Sequence, residues 1–409
     1  MTGFGSSLRS EFFFEDGYVP LNHGSFGCYP KAIQSHLHAF QRLAEMNPDK
    51  FLRREMFPIL QRNRQALAEL VHCEPDDLVF VANASMGINA VVRSLMLKPK
   101  EKLLCFSTAY NAVERTLAYV RDAHEAELIT IQLSYPLSDD AILDLVQQSI
   151  DSHPPNTIKL CVMDAITSVP GVRFPFERVV KLLKDHAILS MVDGAHAIGQ
   201  IPLDLQDTDP DFFITNCHKW LFTPRGAAIL YVPQRNQHLV HPPAINAAYQ
   251  HHTPDSNSKT ITATFQNEFN WPGTIDNSNY CVVEHALDYR RTLGGEDKIM
   301  AYCHQMAVEG GSVAAEILGT DVLENDQHTL TVAMVNVRLP LAASHPRYSV
   351  NDITQAFYDK LLYDYNCMAS PFLHNGTWYA RLSAQVYTDL DDFRVVAKAL
   401  LAICKELEQ

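Results

Sequence analysis

Short apolar runs alternate with amphipathic helical patterns from residue 78 to residue 232. The apolar runs predict buried strands at residues 78–81, 103–106, 129–133, 159–163, 212–214 and 227–232, and a further strand that ends at Asp193. Helices are predicted between these strands. The first follows residues 83–87 and has an apolar face of Ile88, Val91, Val92, Leu95 and Met96. The next ends near residue 123, and two more span 139–150 and 176–186. Strands this apolar are typical of an α/β fold, in which helices cover both faces of a mostly parallel sheet.

Helical periodicity dominates the chain on either side of that stretch. It predicts helices at residues 30–46, 51–73, 278–291, 300–318, 350–363 and 391–407, with the clearest later strand at 331–337. The change in pattern near residue 297 indicates a second, smaller α+β unit. We therefore expect an N-terminal arm (1–25), a large domain (26–296) and a small C-terminal domain (297–409).

One segment, residues 238–266, is rich in His, Pro, Asn, Ser and Thr, and it includes His241, His251 and His252. No cysteine or carboxylate stands at a fixed ligand spacing from these histidines. We therefore expect a solvated loop or lid here rather than a metal site.

Polar side chains follow the predicted strands of the large domain at the points where those strands end. They are Asn83, Tyr110, Thr167, Asp193 and Lys219. In open α/β sheets, ligands bind outside the carboxyl ends of the strands. Five such residues at strand ends predict one ligand site at this edge of the sheet.

Lys219 follows an apolar strand and is itself followed by a second one. A lysine whose stem is buried there has a desolvated amine, which is neutral and nucleophilic near neutral pH. Such an amine forms a Schiff base with a carbonyl substrate or with pyridoxal phosphate (PLP). A lone lysine is more often a surface residue, but the carboxylate of Asp193 upstream stands at the spacing that a PLP site needs.

The segment Asn83-Ala84-Ser85 joins a predicted strand to the start of a helix. Free backbone N–H groups and the positive end of the helix dipole make such a start a site for anions, and Ser85 adds a hydroxyl. The alternative is that Ser85 is only the N-cap of the helix.

Composition narrows the classes of protein that remain. The 409 residues are 47% hydrophobic and 20% charged, which suits a globular protein with a sizeable core. A net charge of −14 with no basic run argues against nucleic acid and anionic membranes as partners. Nine scattered cysteines without a Cys-x-x-Cys pair predict buried thiols in a reducing compartment. Since no signal peptide and no membrane-spanning run is present, we expect a soluble cytoplasmic protein.

Five motifs together resemble a known family. They are Leu21-Asn22-His23-Gly24-Ser25-Phe26-Gly27, Asn83-Ala84-Ser85, Asp193-Gly194-Ala195-His196, Asn216-Cys217-His218-Lys219-Trp220-Leu221 and Gly273-Thr274-Ile275-Asp276-Asn277. The chain resembles the class V, fold-type I PLP enzymes, and within them the isopenicillin N epimerase-like branch. That branch contains epimerases, fungal hercynylcysteine sulfoxide lyases and fungal LolT-type enzymes that form cyclic amino acids. The resemblance implies an aspartate aminotransferase-like large domain that binds PLP, and a smaller α+β domain.

The resemblance also implies a role for individual residues. Lys219 would carry PLP covalently, Asp193 would pair with the pyridine nitrogen, and Tyr110 would stack on the ring. His196 and Thr167 would lie near the ring hydroxyl, while Ala84, Ser85 and His218 would lie at the phosphate. Thr274 would be lent by the neighbouring subunit of a homodimer, whose active sites would lie at the subunit interface. Arg381 would bind the substrate α-carboxylate, with Asn22 and Ser25 in the same substrate site.

Two departures from the related cysteine desulfurases reduce the number of reactions to be considered. Asn216 stands where those enzymes have a serine, and no cysteine matches their mobile catalytic cysteine, which argues against persulfide chemistry. We therefore expect a PLP-dependent carbon–sulfur β-lyase that acts on an S-substituted cysteine sulfoxide, such as hercynylcysteine sulfoxide, and releases pyruvate and ammonia. Phe26, Tyr110 or Trp271 would contact a quaternary amine of that substrate. Tyr110 would either protonate the leaving sulfur or only stack on the ring.

Other functions stay open on the sequence alone. A LolT-type cyclase would use γ-elimination and addition, and an epimerase would return the proton to the other face of Cα. A PLP-fold protein that binds without catalysis is disfavoured because Lys219, Asp193 and Arg381 are all present. A nucleotide-dependent α/β enzyme is disfavoured because both glycine-rich phosphate motifs are missing.

Overall fold

The protein is described by a computed structural model, which covers residues 3–251 and 258–408. Its strands are β1 (Val19–Pro20), β2 (Leu78–Val81), β3 (Lys102–Phe106), β4 (Glu127–Ile131), β5 (Ile158–Asp164), β6 (Leu189–Asp193), β7 (Phe212–Asn216), β8 (Ala228–Tyr231), β9 (Met334–Arg338), β10 (Cys367–Met368), β11 (Ser370–His374) and β12 (Thr377–Ser383). Its α-helices are α1 (His23–Phe26), α2 (Lys31–Met46), α3 (Pro48–Lys50), α4 (Met56–Val71), α5 (Ala84–Ser94), α6 (Asn111–His124), α7 (Asp139–Asp151), α8 (Phe176–Asp185), α9 (Leu205–Thr208), α10 (Cys217–Trp220), α11 (Ser258–Asn270), α12 (Ser278–Cys281), α13 (Val283–Thr292), α14 (Glu296–Leu318), α15 (Val350–Tyr363) and α16 (Leu390–Leu407). Short 3-10 or π-helical turns lie at Ser6–Glu11, Phe51–Glu55, Pro75–Asp77 and Gln234–Leu239.

A seven-stranded sheet with the order β2-β8-β7-β6-β5-β3-β4 forms the centre of the larger part. Only β8 runs antiparallel to its neighbours, and the other pairs are parallel. The mostly parallel α/β sheet predicted from the apolar runs is therefore confirmed. Parallel order brings the carboxyl ends of β5, β6 and β7 to one edge.

Both faces of this sheet are buried because its strand residues alternate between two hydrophobic cores. Phe212 and Ile214 of β7 pack into one core, which α5 and α6 cover, while Phe213 packs into the other, which α7 and α8 cover. The alternation follows from the two-residue period of a strand. It explains why apolar residues predominate at both faces of the central strands.

A second, three-stranded antiparallel sheet with the order β11-β12-β9 packs with α14, α15 and α16 around its own core. The first residues of the chain connect a core of the large sheet with the core of the small sheet. Leu8 and Phe12 pack against the large sheet, and Val19 and Leu21 pack in the core of the small one. Helix α14 likewise contributes Ile299 to the large core and later residues to the small one. The predicted domain limits at residues 25 and 296 stay predictions.

Several sequence-based expectations about local structure are wrong. Helix α5 ends at Ser94, so Leu95 and Met96 lie beyond it, and Met96 is 85% exposed. Strand β4 ends at Ile131, two residues earlier than predicted. The helix predicted at 278–291 is divided into α12 and α13, and the one at 51–73 starts with a π-helical turn.

The segment predicted to be a solvated loop is partly helical. Helix α11 begins at Ser258 and buries Ile261 and Phe265. His241 lies with its Nδ1 2.7 Å from a carboxylate oxygen of Glu268, a buried residue. His252 lies outside the described residues. No helix in the described ranges is long and apolar enough to cross a bilayer.

Candidate active site

Lys219 lies in a short helix that continues directly from a core strand. Strand β7 runs into α10, whose Cys217 and Trp220 are buried and fix the turn. The side chain of Lys219 then faces a cavity of about 200 Å³ at the carboxyl ends of the parallel strands. The cavity is lined by Ser25, Phe26, Asn83, Ala84, Ser85, Tyr110, Asp164, Ser168, Asp193, Ala195, His196, Asn216, His218 and Lys219.

The amine of Lys219 lies 3.1 Å from Nε2 of His196. Nδ1 of that imidazole accepts a hydrogen bond from the indole N–H of Trp220, at 3.3 Å. Since an indole only donates, Nδ1 carries no proton and the proton of the neutral ring is on Nε2. Burial, together with the positive charges of Lys219 and Arg381, lowers the pKa of His196 well below 6.5, which keeps the ring neutral. The Nε2–H of His196 therefore points at the lysine nitrogen and favours its unprotonated form.

The electrostatics of the cavity act on the lysine in the same direction. Burial, followed by the positive charge of Arg381, lowers the pKa of Lys219 from 10.5 to about 8, against the opposing charges of Asp193 and Asp164. A desolvated amine of this kind is a nucleophile and a base near neutral pH. The surroundings of Lys219 thus favour the desolvated, neutral amine that the sequence predicts.

Two carboxyl groups stand side by side at the ends of neighbouring strands. Asp164 of β5 and Asp193 of β6 are in register, and both line the cavity. Burial raises the pKa of each carboxyl group, and for Asp164 the neighbouring charge of Asp193 raises the pKa further. The backbone N–H of Ala195 donates to Asp193 at 3.0 Å, and this bond together with the charge of Lys219 favours ionisation of Asp193. Asp193 is thus the carboxylate that would form an ion pair with a cationic ring nitrogen.

The first turn of α5 opens onto the same cavity. Asn83 is its N-cap and accepts a hydrogen bond from the N–H of Met86 at 2.9 Å, so the alternative of Ser85 as N-cap is wrong. The side-chain oxygen of Asn216 accepts from the N–H of Ala84, also at 2.9 Å. Among the residues that the structure describes, none is hydrogen-bonded to the Ser85 hydroxyl. This helix start can therefore offer a hydroxyl and its dipole to an anion.

His218 lines the cavity beside that helix start. Its Nδ1–H donates to the carbonyl oxygen of Ala227 at 2.9 Å, which leaves Nε2 facing the cavity. Burial lowers the pKa of His218 to about 4. A dianion bound at the helix start would favour protonation of Nε2, because it supplies the negative charge that the buried ring lacks.

Arg381 of β12 is buried, being 1% exposed, yet it has no acidic partner in the described part of the chain. One terminal nitrogen donates to the carbonyl oxygen of Ser168 at 2.8 Å, and the other donates to Asn22 Oδ1 and Ser25 Oγ, each at 2.9 Å. Its Nε has no partner. Burial lowers the pKa of Arg381 to about 10. A buried guanidinium without a counter-ion is suited to an incoming carboxylate.

Comparisons with known proteins agree with this geometry. The family model for aminotransferase class-V matches residues 46–351. The L-cysteine desulfhydrase-like protein lolT2 of Epichloe uncinata is 30% identical over 99% of this chain and 94% of its own length. The hercynylcysteine sulfoxide lyase of Schizosaccharomyces pombe is 30% identical over 98% of both chains.

The chain belongs to the aminotransferase class-V family. The branch suspected from the motifs is confirmed, because these two relatives are of the types named for it. A solved structure of C-DES, with glycine covalently linked to its PLP cofactor, shares the fold with a TM-score of 0.77 at 14% identity, over 96% of this chain and 98% of that one. The fold is therefore PLP fold-type I, as expected.

The chain is a PLP-dependent enzyme of this class-V family, and its cavity fits that cofactor. The amine of Lys219 suits the aldehyde, and Asp193 suits the pyridine nitrogen. The unpartnered hydroxyl of Ser85 at a helix start suits the phosphate. These three features lie around one cavity.

Two predicted cofactor contacts are not found in this cavity. The buried hydroxyl of Thr167 donates to the carbonyl oxygen of Pro170 at 2.5 Å, and the residue does not line the cavity. Ser168, the next residue, lies at the wall instead. Thr274 and Trp271 lie in a separate groove, so Trp271 is not part of the aromatic surface of this cavity. The contribution of Thr274 to the site of a second subunit stays a prediction.

Sequence reasoning missed several members of the cavity wall. Asp164 had a usable signal, since it directly follows the predicted strand 159–163, and Ser168 lies in the loop beyond it. Asn22 and Ser25, by contrast, were placed in the substrate site, and the structure does bring both to Arg381.

Proposed function

We propose that this enzyme is a carbon–sulfur β-lyase whose substrate is an S-substituted cysteine sulfoxide, such as hercynylcysteine sulfoxide. The Cβ–S bond breaks, the sulfur leaves as a sulfenic acid, and the remaining three-carbon unit is released as pyruvate and ammonia after hydrolysis. The relative named hercynylcysteine sulfoxide lyase, which matches over 98% of the chain, supports this proposal.

The observation that carries the proposal is that Arg381 is bound to Ser25 and Ser168, which line the same cavity as Lys219. No cysteine is among the described lining residues of this cavity. A buried arginine fork fixes an amino acid by its α-carboxylate. An amine of lowered pKa then stands ready to take the proton from Cα. A sulfur-transfer enzyme would also need a thiol acceptor, and the wall of this cavity supplies none.

The residues of the site divide the steps of this scheme between them. PLP, when bound, supplies an electron sink for the bonding pair left at Cα. Asp193 holds a proton on the ring nitrogen, because a buried carboxylate beside it favours the cationic form. Lys219 takes the Cα proton, and the Nε2–H of His196 orients its nitrogen. Tyr110, at the mouth of the cavity, gives a proton to the departing sulfur group.

The outer part of the cavity suits a substrate with a quaternary amine. Phe26 and Tyr110 line it and are 68% and 51% exposed, so both rings are accessible to a ligand. Aromatic faces attract such cations, and more strongly once water is excluded. Trp271, the third aromatic candidate, lies in another groove together with Thr274.

We further propose that the enzyme is a cytoplasmic homodimer. The groove that contains Thr274 also holds Trp271, Phe57, Arg53 and Arg54, and it has a volume of about 600 Å³. It provides a surface on which a second copy would bring Thr274 to the partner's phosphate site. All nine cysteines are free and seven are buried, in keeping with a reducing compartment.

The test is a product analysis with the PLP-loaded enzyme. Hercynylcysteine sulfoxide or a simpler cysteine S-conjugate sulfoxide is added, pyruvate is followed with lactate dehydrogenase, and all products are identified by mass spectrometry. We expect pyruvate in equal amount to substrate consumed, and none from Lys219→Ala. A D-epimer without pyruvate would show an epimerase, and a cyclised amino acid from a homoserine-derived substrate would show a cyclase; either result refutes the lyase.

A further inference from the structure

His23 lies directly beneath the turn that carries Lys219. It is 5% exposed and belongs to α1, a single helical turn near the start of the chain. Its Nε2 lies 2.5 Å from the carbonyl oxygen of Lys219 and its Nδ1 lies 2.8 Å from the hydroxyl oxygen of Tyr387. The main chain of the lysine is thus held by a side chain almost two hundred residues away.

The direction of each hydrogen bond follows from the groups involved. A carbonyl oxygen only accepts, so Nε2 of His23 carries the proton. Burial lowers the pKa of His23 to about 3, so the ring is neutral and its Nδ1 accepts from the hydroxyl of Tyr387. The sulfur of Cys28 lies 3.5 Å from that hydroxyl, and burial raises the pKa of Cys28 to about 12, so the thiol keeps a proton to donate. All three bonds therefore point toward the carbonyl oxygen of Lys219.

Gly27 brings the same segment into main-chain contact with the lysine turn. A Cβ at this position would lie 1.9 Å from the carbonyl oxygen of His218 and 2.8 Å from Cα of Lys219. The residue has φ of +62°, which favours glycine. Arg225 donates to the carbonyl oxygen of Gly27 at 2.8 Å and fixes the segment from the other side.

The opposite side of α1 holds the guanidinium group. Asn22 and Ser25 both accept from Arg381, and Ser25 also donates to Asn22 at 2.8 Å. Residues 22–27 therefore touch the lysine through His23 and Gly27, and the arginine through Asn22 and Ser25. One short segment links a residue of α10, which follows the large sheet, to a residue of the small sheet.

We propose that His23 is a positioning residue, which holds the Lys219 main chain at a fixed place relative to Arg381. Its Nε2–H bond orients the peptide from which the reactive amine extends, and the Tyr387 hydroxyl holds the imidazole in the required tautomer. The inference rests on Lys219 as the residue that carries PLP. It does not depend on which sulfur compound is the substrate.

The test compares two substitutions that keep different halves of the imidazole. In His23→Gln the amide reaches the position of Nε2 and can still donate to the carbonyl oxygen of Lys219. In His23→Asn the shorter amide reaches only the position of Nδ1, so the bond to Lys219 is lost. His38→Asn, at an exposed histidine of α2, is the matched control for the same change of side chain.

The measurement is the rate at which PLP becomes covalently attached to the apoprotein, followed by absorbance and located by borohydride reduction and mass spectrometry. We expect His23→Asn to slow attachment to Lys219 by about ten-fold or more, since small misplacements of reacting groups have effects of that size. His23→Gln is expected to stay within about three-fold of the parent, and His38→Asn to match it. Thermal unfolding is measured on all three variants, and we expect the two His23 variants to share one midpoint.

Equal slowing in both His23 variants, or a parent-like rate in His23→Asn, would overturn the inference. It would also fail if slow attachment in His23→Asn came with a lower unfolding midpoint than in His23→Gln, because general packing would then explain the result. Attachment that persists in Lys219→Ala would show that another residue holds PLP. That result would refute this inference while leaving the choice of sulfur substrate untouched.

Discussion

Replacing Arg381 by Gln tests the electrostatic origin of the reactive lysine. Burial and the Arg381 charge are the two causes that lower the pKa of Lys219, while Asp193 and Asp164 oppose them. Removing the guanidinium leaves burial in place and leaves both carboxyl groups acting on the amine. The pKa of Lys219 in the apoprotein should therefore rise.

The size of the effect follows from the fraction of neutral amine. With a pKa of about 8, roughly a tenth of the Lys219 amine is neutral at pH 7, against about 0.03% for the ordinary value of 10.5. The surroundings thus raise the reactive fraction by roughly 300-fold. Loss of one nearby charge in a medium of intermediate dielectric is worth on the order of one pKa unit. Arg381→Gln should then lower the neutral fraction at pH 7 by about ten-fold.

Competitive labelling of the apoprotein measures this pKa directly. Trace acetic anhydride reacts only with neutral amines. Mass spectrometry measures the acetylated fraction of the Lys219 peptide at pH values from about 6 to about 11, in steps of about one unit. The exposed Lys181 serves as an internal reference for reagent concentration. Arg62→Gln, at an exposed arginine of α4, is the matched control and should leave the Lys219 curve unchanged.

Two results would refute the reasoning. A Lys219 midpoint near 10.5 in the parent would show that the cavity does not desolvate the amine. A midpoint that does not rise in Arg381→Gln, or that rises equally in Arg62→Gln, would show that the arginine does not act on the lysine through its charge. In the latter case the role of Arg381 would be confined to binding the substrate carboxylate.

Five further substitutions, one of which is a control outside the site, test other parts of the site. Asn83→Ala and Ser138→Ala each remove an N-cap and should each lower the free energy of unfolding by about 1 kcal/mol, but only Asn83→Ala should also weaken PLP binding, measured by equilibrium titration. Asp164→Asn mimics the neutral acid that burial favours and should keep the PLP dissociation constant within about three-fold of the parent value. Asp193→Asn should raise that constant more than about ten-fold. Equal effects would contradict the assignment of Asp193, rather than Asp164, to the ring nitrogen. Gly27→Ala should lower the unfolding midpoint and stop PLP attachment, because its Cβ would lie 1.9 Å from a carbonyl oxygen; normal attachment would show that the segment can shift.

Much of the fold was readable from the sequence because apolar periodicity is a local signal. Strand β2 and helix α15 lie where the pattern predicted them, and α2 differs by one residue at its start. The errors occur where a contact distant in sequence decides the structure. Leu95 is apolar and buried, yet it has left the helix and is extended, with ψ of 122°. Local periodicity cannot distinguish burial within a helix from burial just beyond its end.

The site was readable where it follows the ends of predicted strands. Lys219, Asp193 and the start of α5 fall into that class, and the structure places all of them at one cavity. The role of His23 was not readable, because it depends on a contact with the Lys219 carbonyl across 196 positions. Thr167 was misplaced for a related reason. The turn that follows β5 uses its hydroxyl for a carbonyl within the same loop, which the residue type alone does not reveal.

The unpaired charged side chains of the site explain why it suits both an amino acid and PLP. Within the described ranges Arg381 is a buried cation without an acidic partner, while Asp193 and Asp164 are buried acids beside each other. Unpaired buried charge is destabilising, so the apoprotein retains unfavourable electrostatic energy here. A substrate carboxylate neutralises the arginine, and a protonated pyridine neutralises Asp193. Binding of both therefore removes two separate sources of unfavourable electrostatic energy and stabilises the folded protein.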